Sequence, residues 1–150
     1  ASTIAAEDLT SPIVGKKFSK NVSRRLSSWT KGIIASALEN ISRRRGSTVI
    51  HVNAAYTSPV ASMNGTLSGK RSGDRFYREN GDVLQADMNS ARNVLARLYD
   101  PEIGRWTNYK KVKAILLERT ECHRLKLLNQ DSSYTCKQVL TESESPNAYV

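Results

Sequence analysis

At 150 residues and 39% hydrophobic composition, the chain is long enough for one domain with its own core. It holds no apolar run near the ~20 residues of a membrane span, nothing at its start reads as a signal peptide, and a cytoplasmic protein is the expectation. The 23 basic and 14 acidic residues leave a net charge of +9, a balance that favours polyanionic partners such as nucleic acid.

In chain order, Ser2-Thr3-Ile4-Ala5-Ala6 is small and β-branched and runs into Glu7-Asp8-Leu9. This predicts a buried strand whose last residues present carboxylates. A chain that opens on a strand and without methionine is expected to be cut from something longer. A loop with Ser11-Pro12 follows. From Lys16 to Arg45, Val22, Leu26, Trp29, Ile33, Ala37 and Ile41 fall three or four residues apart, a helical stripe. The same stretch carries Lys16, Lys17, Lys20, Arg24, Arg25, Lys31, Arg43, Arg44 and Arg45 against one acid, Glu39, a local charge of +8. That charge reads either as a solvated helix face or as a surface for phosphates. Arg43-Arg44-Arg45 also suits the negative end of a helix dipole, and Gly46 suits a helix stop.

Ser47 to Val52 predicts a second strand, so that strand, helix and strand form a βαβ unit with parallel neighbours. Residues 57–85 are rich in Gly and Ser, with Gly65, Gly69, Gly73 and Gly81 spaced like the turns of small hairpins. Asp87, Ala91, Val94, Leu95 and Leu98 then share one face of a helix that Asp100-Pro101-Glu102-Ile103-Gly104 ends. A last amphipathic helix is expected from about Thr107 to Leu128, with Val112, Ile115, Leu116 and Leu127 or Leu128 inward. The polar residues 129–150 are expected to be disordered. Cys122 and Cys136 have no metal spacing and are expected to be free thiols.

Two acids stand out by placement. Glu7 closes a predicted strand, the end at which open α/β sheets collect ligands. Asp87 lies in the first turn of a helix on its predicted inward face, where a carboxylate is costly unless paired, capping or metal-bound. From spacing alone, Asp87 reads as a helix cap and Glu7 as an exposed loop acid.

Four segments in order carry a resemblance. Glu7-Asp8-Leu9, the basic stretch with Arg25-Leu26-Ser27-Ser28-Trp29, Val52-Asn53-Ala54-Ala55-Tyr56-Thr57-Ser58, and Ala86-Asp87-Met88-Asn89-Ser90-Ala91-Arg92-Asn93-Val94 cover residues 2–98. They resemble the TnpB (OrfB) family of transposon-encoded RuvC-like nucleases, relatives of the type V CRISPR effectors. The resemblance implies an α/β chain with a partial RNase H-like (RuvC) fold. Residues 1–56 would hold the βαβ unit, 57–85 a ribbon-like hairpin insert, 86–128 the third-motif helix and C-terminal helix, and 129–150 the tail. Glu7 and Asp87 would be the second and third catalytic carboxylates and Mg2+ ligands of a phosphodiester-hydrolysing site, where two cations ~4 Å apart act together. DNA and a guide RNA would be the partners, and the nine basic residues of the Lys16–Arg45 stretch would touch nucleic acid.

Two departures matter. The family's four zinc cysteines fall here on Ala61, Asn64, Tyr77 and Asn80, and residues 57–85 contain neither cysteine nor histidine, so no zinc is expected. Leu67, Phe76, Tyr77 and Val83 are then the side chains expected to hold the ribbon. The family's first catalytic aspartate is expected upstream of Ser2, so the isolated chain should be inactive. The alternative is a non-catalytic, nucleic-acid-binding remnant of a transposase-related protein.

Overall fold

The computed structural model describes residues 2–9 and 32–129. Over these residues the chain is mixed α/β. In order come β1 (Thr3–Asp8), α1 (Ile34–Arg44), β2 (Thr48–Asn53), β3 (Lys70–Ser72), β4 (Arg75–Tyr77), β5 (Val83–Gln85), α2 (Ala86–Arg97) and α3 (Tyr109–Asn129). Strands β1 and β2 make a two-stranded sheet, and β3, β4 and β5 make a three-stranded one. The chain divides into two compact units, Ala1–Ala55 with Val94–Thr107, and Tyr56–Asn93 with Asn108–Val150.

In the first unit β1 pairs parallel with β2, from Thr3 opposite Thr48 to Asp8 opposite Asn53, the pairing expected of a βαβ unit. The β-branched run Thr48-Val49-Ile50 with Val52 favours the extended backbone of β2. Among the described residues β1 has a neighbour on one side only, rather than lying in the middle of a sheet. Helix α1 stops where Gly46 adopts a left-handed φ of +66°, and the Ser47 amide returns to the Ser42 carbonyl at 2.9 Å. Its inward face differs from the expected stripe. Ser42 is buried and Ala35 and Leu38 are half-buried, whereas Ile33 and Ile41 are 63% and 52% exposed. The face is thus rotated by one residue, about 100° of helix, from the one that apolar spacing picks out.

The second unit is built around an antiparallel meander. Ser72 faces Arg75 across a two-residue turn, and Gly73 supplies its positive φ of +57°. Phe76 is completely buried against Ala61, Ala86 and Leu84, a burial that contributes about 1.5–3 kcal/mol. A Cβ on Gly69 would stand 2.3 Å from Phe76 Cζ, so only glycine lets the chain pass the ring. Tyr77 and Val83 are exposed, contrary to expectation, because strand alternation sends Phe76 inward and its neighbour Tyr77, with Val83 paired to it, outward.

Two matching turns flank this core. Asn64 Oδ1 accepts the Thr66 amide at 3.2 Å over Gly65, and Asn80 Oδ1 accepts the Asp82 amide at 3.1 Å over Gly81. Both glycines have positive φ, +71° and +87°. Each is an asparagine side chain closing a turn that its glycine makes accessible. Helix α3 begins where Asn108 Oδ1 accepts the Lys110 amide at 2.8 Å, and it buries Val112, Leu116 and Cys122. Thr120 Oγ1 ties it to the ribbon by accepting the Leu67 amide at 2.9 Å. Leu127 and Leu128 are exposed, and Cys122 is disulfide-bonded, not the free thiol expected. Tyr56 holds a left-handed φ of +61°, unusual for a residue with a Cβ, and stacks on Tyr109 with ring centroids 4.6 Å apart.

Candidate functional site

In the first unit the chemistry collects at the C-terminal ends of the two parallel strands. Strand alternation points Glu7 and Asp8 to opposite faces. Glu7 is half-buried, opposite Val52. The Asp8 side chain is only 7% exposed, and Arg105 Nε donates to its Oδ2 at 2.6 Å, a short charge-assisted bond. Beside it, at the end of β2, Asn53 is buried. Its Nδ2 donates to the carbonyls of Thr107 at 2.8 Å, Arg105 at 3.1 Å and Gly104 at 3.3 Å, while its Oδ1 accepts the Ala55 amide at 2.9 Å. One side chain from each strand end therefore clasps the 104–107 turn. The Arg105 guanidinium also lies over the Trp106 ring, 4.4 Å from its centroid. Sequence reasoning missed this clasp, although Asp8 and Asn53 both lie inside segments it had singled out.

In the second unit Asp87 opens α2, as expected, but faces outward. Its side chain is 72% exposed. Arg71 Nη2 donates to Oδ1 at 3.1 Å and Gln85 Nε2 to Oδ2 at 3.3 Å. Asp87 is not the cap: Gln85 Oε1 accepts the Met88 amide at 2.7 Å. The inward face of α2 is Ala86, Asn89, Asn93 and Arg97, spaced three, four and four. Asn89 Nδ2 donates to the Val60 carbonyl at 2.8 Å and its Oδ1 accepts the Ser62 amide at 3.0 Å. Asn93 Nδ2 donates to the carbonyls of Thr57 at 2.8 Å and Val60 at 2.7 Å. Ala91 and Leu95, expected inward, are exposed. The turns of 57–62 bury backbone groups that no strand ladder satisfies, and asparagines meet that need where leucines could not.

Glu7 lies in the first unit and Asp87 in the second. Both oxygens of Asp87 are engaged by Arg71 and Gln85. Among the described residues no group of three or more His, Cys, Asp or Glu side chains could hold a metal ion. At the family's zinc positions, Ala61 is buried, Tyr77 is exposed, and the amide oxygens of Asn64 and Asn80 close their own turns. Of the basic residues, Arg43, Arg44 and Arg45 are exposed at the end of α1. Lys16, Lys17, Lys20, Arg24, Arg25 and Lys31 lie outside the described residues, as does the tail beyond Asn129. Among the described residues no helix is long and apolar enough to cross a membrane. No protein-family model matches the chain, and no curated protein or solved structure matches it significantly.

Proposed function

We propose that this chain is the C-terminal, RuvC-like part of a TnpB-type, transposon-associated RNA-guided DNA endonuclease, and that these 150 residues bind nucleic acid without cutting it. The observation that carries the reading is the order in which the motifs fall on elements. Glu7 lies near the end of β1 in a parallel strand–helix–strand unit, Asn-Gly turns stand at the positions of the family's zinc knuckles, and Asp87 opens α2. Mg2+-dependent phosphodiester hydrolysis is what the resemblance implies for the intact protein. Glu7 and Asp87 are two carboxylates, fewer than a two-metal site uses. DNA and a guide RNA are the proposed partners and the cytoplasm the proposed compartment.

One observation favours the second reading, a non-catalytic nucleic-acid-binding remnant: Asp87 is ion-paired to Arg71 rather than open to a cation. The upstream reading frame separates the two. An in-frame strand carrying an aspartate, joined to this chain, should yield Mg2+-dependent cleavage of target DNA that Asp87→Asn abolishes. Cleavage insensitive to Asp87→Asn would refute the assignment of that residue. Failure of the 150-residue chain to bind any nucleic acid at low salt would refute both readings.

A further inference from the structure

Trp106 is 76% exposed, an unusual state for the largest apolar side chain, and it is not on a loose loop. The turn that carries it is held from both strand ends, by three bonds from Asn53 Nδ2 to the carbonyls of residues 104, 105 and 107 and by Asp8 through Arg105. Upstream, Asp100 Oδ1 accepts the amides of Glu102 and Ile103, at 3.0 and 3.1 Å, and Ile103 is buried. The turn is thus anchored on both sides of the indole. Arg105 covers one face of the ring at 4.4 Å and is itself fixed by Asp8. The exposure of the indole leaves its other face to solvent. A flat ring, backed by a fixed guanidinium and held at the C-terminal edge of parallel strands in a chain of charge +9, matches what an unpaired nucleobase needs, a π-face to stack on.

We infer that Trp106 is a stacking platform for a base of single-stranded nucleic acid, pre-set by the Asp8–Arg105–Trp106 chain of contacts. The inference rests on the nucleic-acid reading above and adds a specific contact to it. Arg105 is neutralised locally by Asp8, so its part is to position the indole, while phosphates meet the basic residues elsewhere. Stacking is sequence-tolerant and non-ionic, which separates it experimentally from phosphate binding.

The test uses the full chain with Trp29→Phe, which leaves Trp106 as the one remaining tryptophan of two. A thymidine 12-mer at low salt should quench its fluorescence, and an abasic 12-mer with the same number of phosphates should bind without quenching. Trp106→Ala should weaken thymidine 12-mer binding roughly tenfold at every salt concentration, without changing the slope of log affinity against log salt. Trp106→Phe should recover part of the loss. Arg105→Gln should lower quenching more than it changes that slope. Binding of the 12-mer with no quenching, or equal quenching by the abasic strand, overturns the stacking inference and leaves the nucleic-acid reading standing. No binding of either strand by the parent chain overturns that reading and the inference together.

Discussion

The Val60 carbonyl accepts two side-chain donors, Asn89 Nδ2 at 2.8 Å and Asn93 Nδ2 at 2.7 Å. This sharing makes a definite thermodynamic prediction. Replacing Asn93 with Leu, of similar size and branching, takes one buried hydrogen bond from the Thr57 carbonyl but leaves Val60 with Asn89. Removing one partner of a buried hydrogen bond costs about 1–3 kcal/mol. Asn89→Leu strands the Ser62 amide but leaves Val60 with Asn93, a similar cost of about 1–3 kcal/mol. Only the double variant leaves the Val60 carbonyl bare. It should therefore lose the sum of the single effects plus a further ~1–3 kcal/mol, a positive coupling between residues one helical turn apart. The full loss of about 3–9 kcal/mol falls within the stability of an ordinary domain, so the cycle is measurable in cold buffer by urea unfolding. Additivity within ~0.5 kcal/mol would refute the shared-acceptor account and mean that backbone or solvent relaxes to satisfy Val60 at no cost.

Further outcomes follow from single residues. Gly69→Ala, whose Cβ would overlap the buried Phe76 ring, should cost ~1–3 kcal/mol or more in urea melts, whereas Gly65→Ala meets no atom within 4 Å and should cost only the ~1 kcal/mol of a left-handed alanine. Tyr56 is pushed from 10.0 up to about 12, by burial first and then by its hydrogen bond to Tyr109 and that residue's charge. Its neutral form is thus favoured in the folded state, and the resulting stability is complete below pH 10 and lost as pH rises toward about 12. Phenolate absorbance should show one late-titrating tyrosine that Tyr109→Phe moves back toward the ordinary value. Replacing Arg24, Arg25 and Lys31 together with Gln should shallow the salt dependence of nucleic-acid binding by roughly one unit for each phosphate no longer bound, read by anisotropy titration. Asp87→Asn removes an exposed pair worth about 0–1 kcal/mol, so thermal stability should barely change.

The sequence carried the elements better than their faces. The β-branched run at residues 48–52 and the small residues of 2–6 announced β1 and β2, and the strand–helix–strand order was enough to expect the parallel register that Thr3–Thr48 begins. Gly73 and Phe76 were legible for the same reason: a hairpin glycine and an inward aromatic act within a few residues of their own position. The inward faces of α1 and α2 were not legible, because spacing arguments count apolar residues. Helix α1 turns Ser42 inward and leaves Ile41 out, and α2 is docked by Asn89 and Asn93. Those asparagines are buried because particular carbonyls of the 57–60 turn need donors, a demand that exists only once the chain is folded. Arg105 and Asp8 are 97 residues apart, and no local pattern signals that they will pair.

Helix α2 keeps its anchoring face apart from its exposed acid. Ala86, Asn89, Asn93 and Arg97 anchor one side of the helix, and Asp87, one residue on from Ala86, is turned about 100° away from it. The anchoring face and the acid are therefore independent. The bonds from Asn89 and Asn93 to the 57–62 turn hold whether or not residue 87 carries a charge. What surrounds Asp87 is the Arg71 guanidinium from β3 and the Gln85 amide that also caps the helix. The arginine, at 3.1 Å, offsets the charge of this exposed carboxylate.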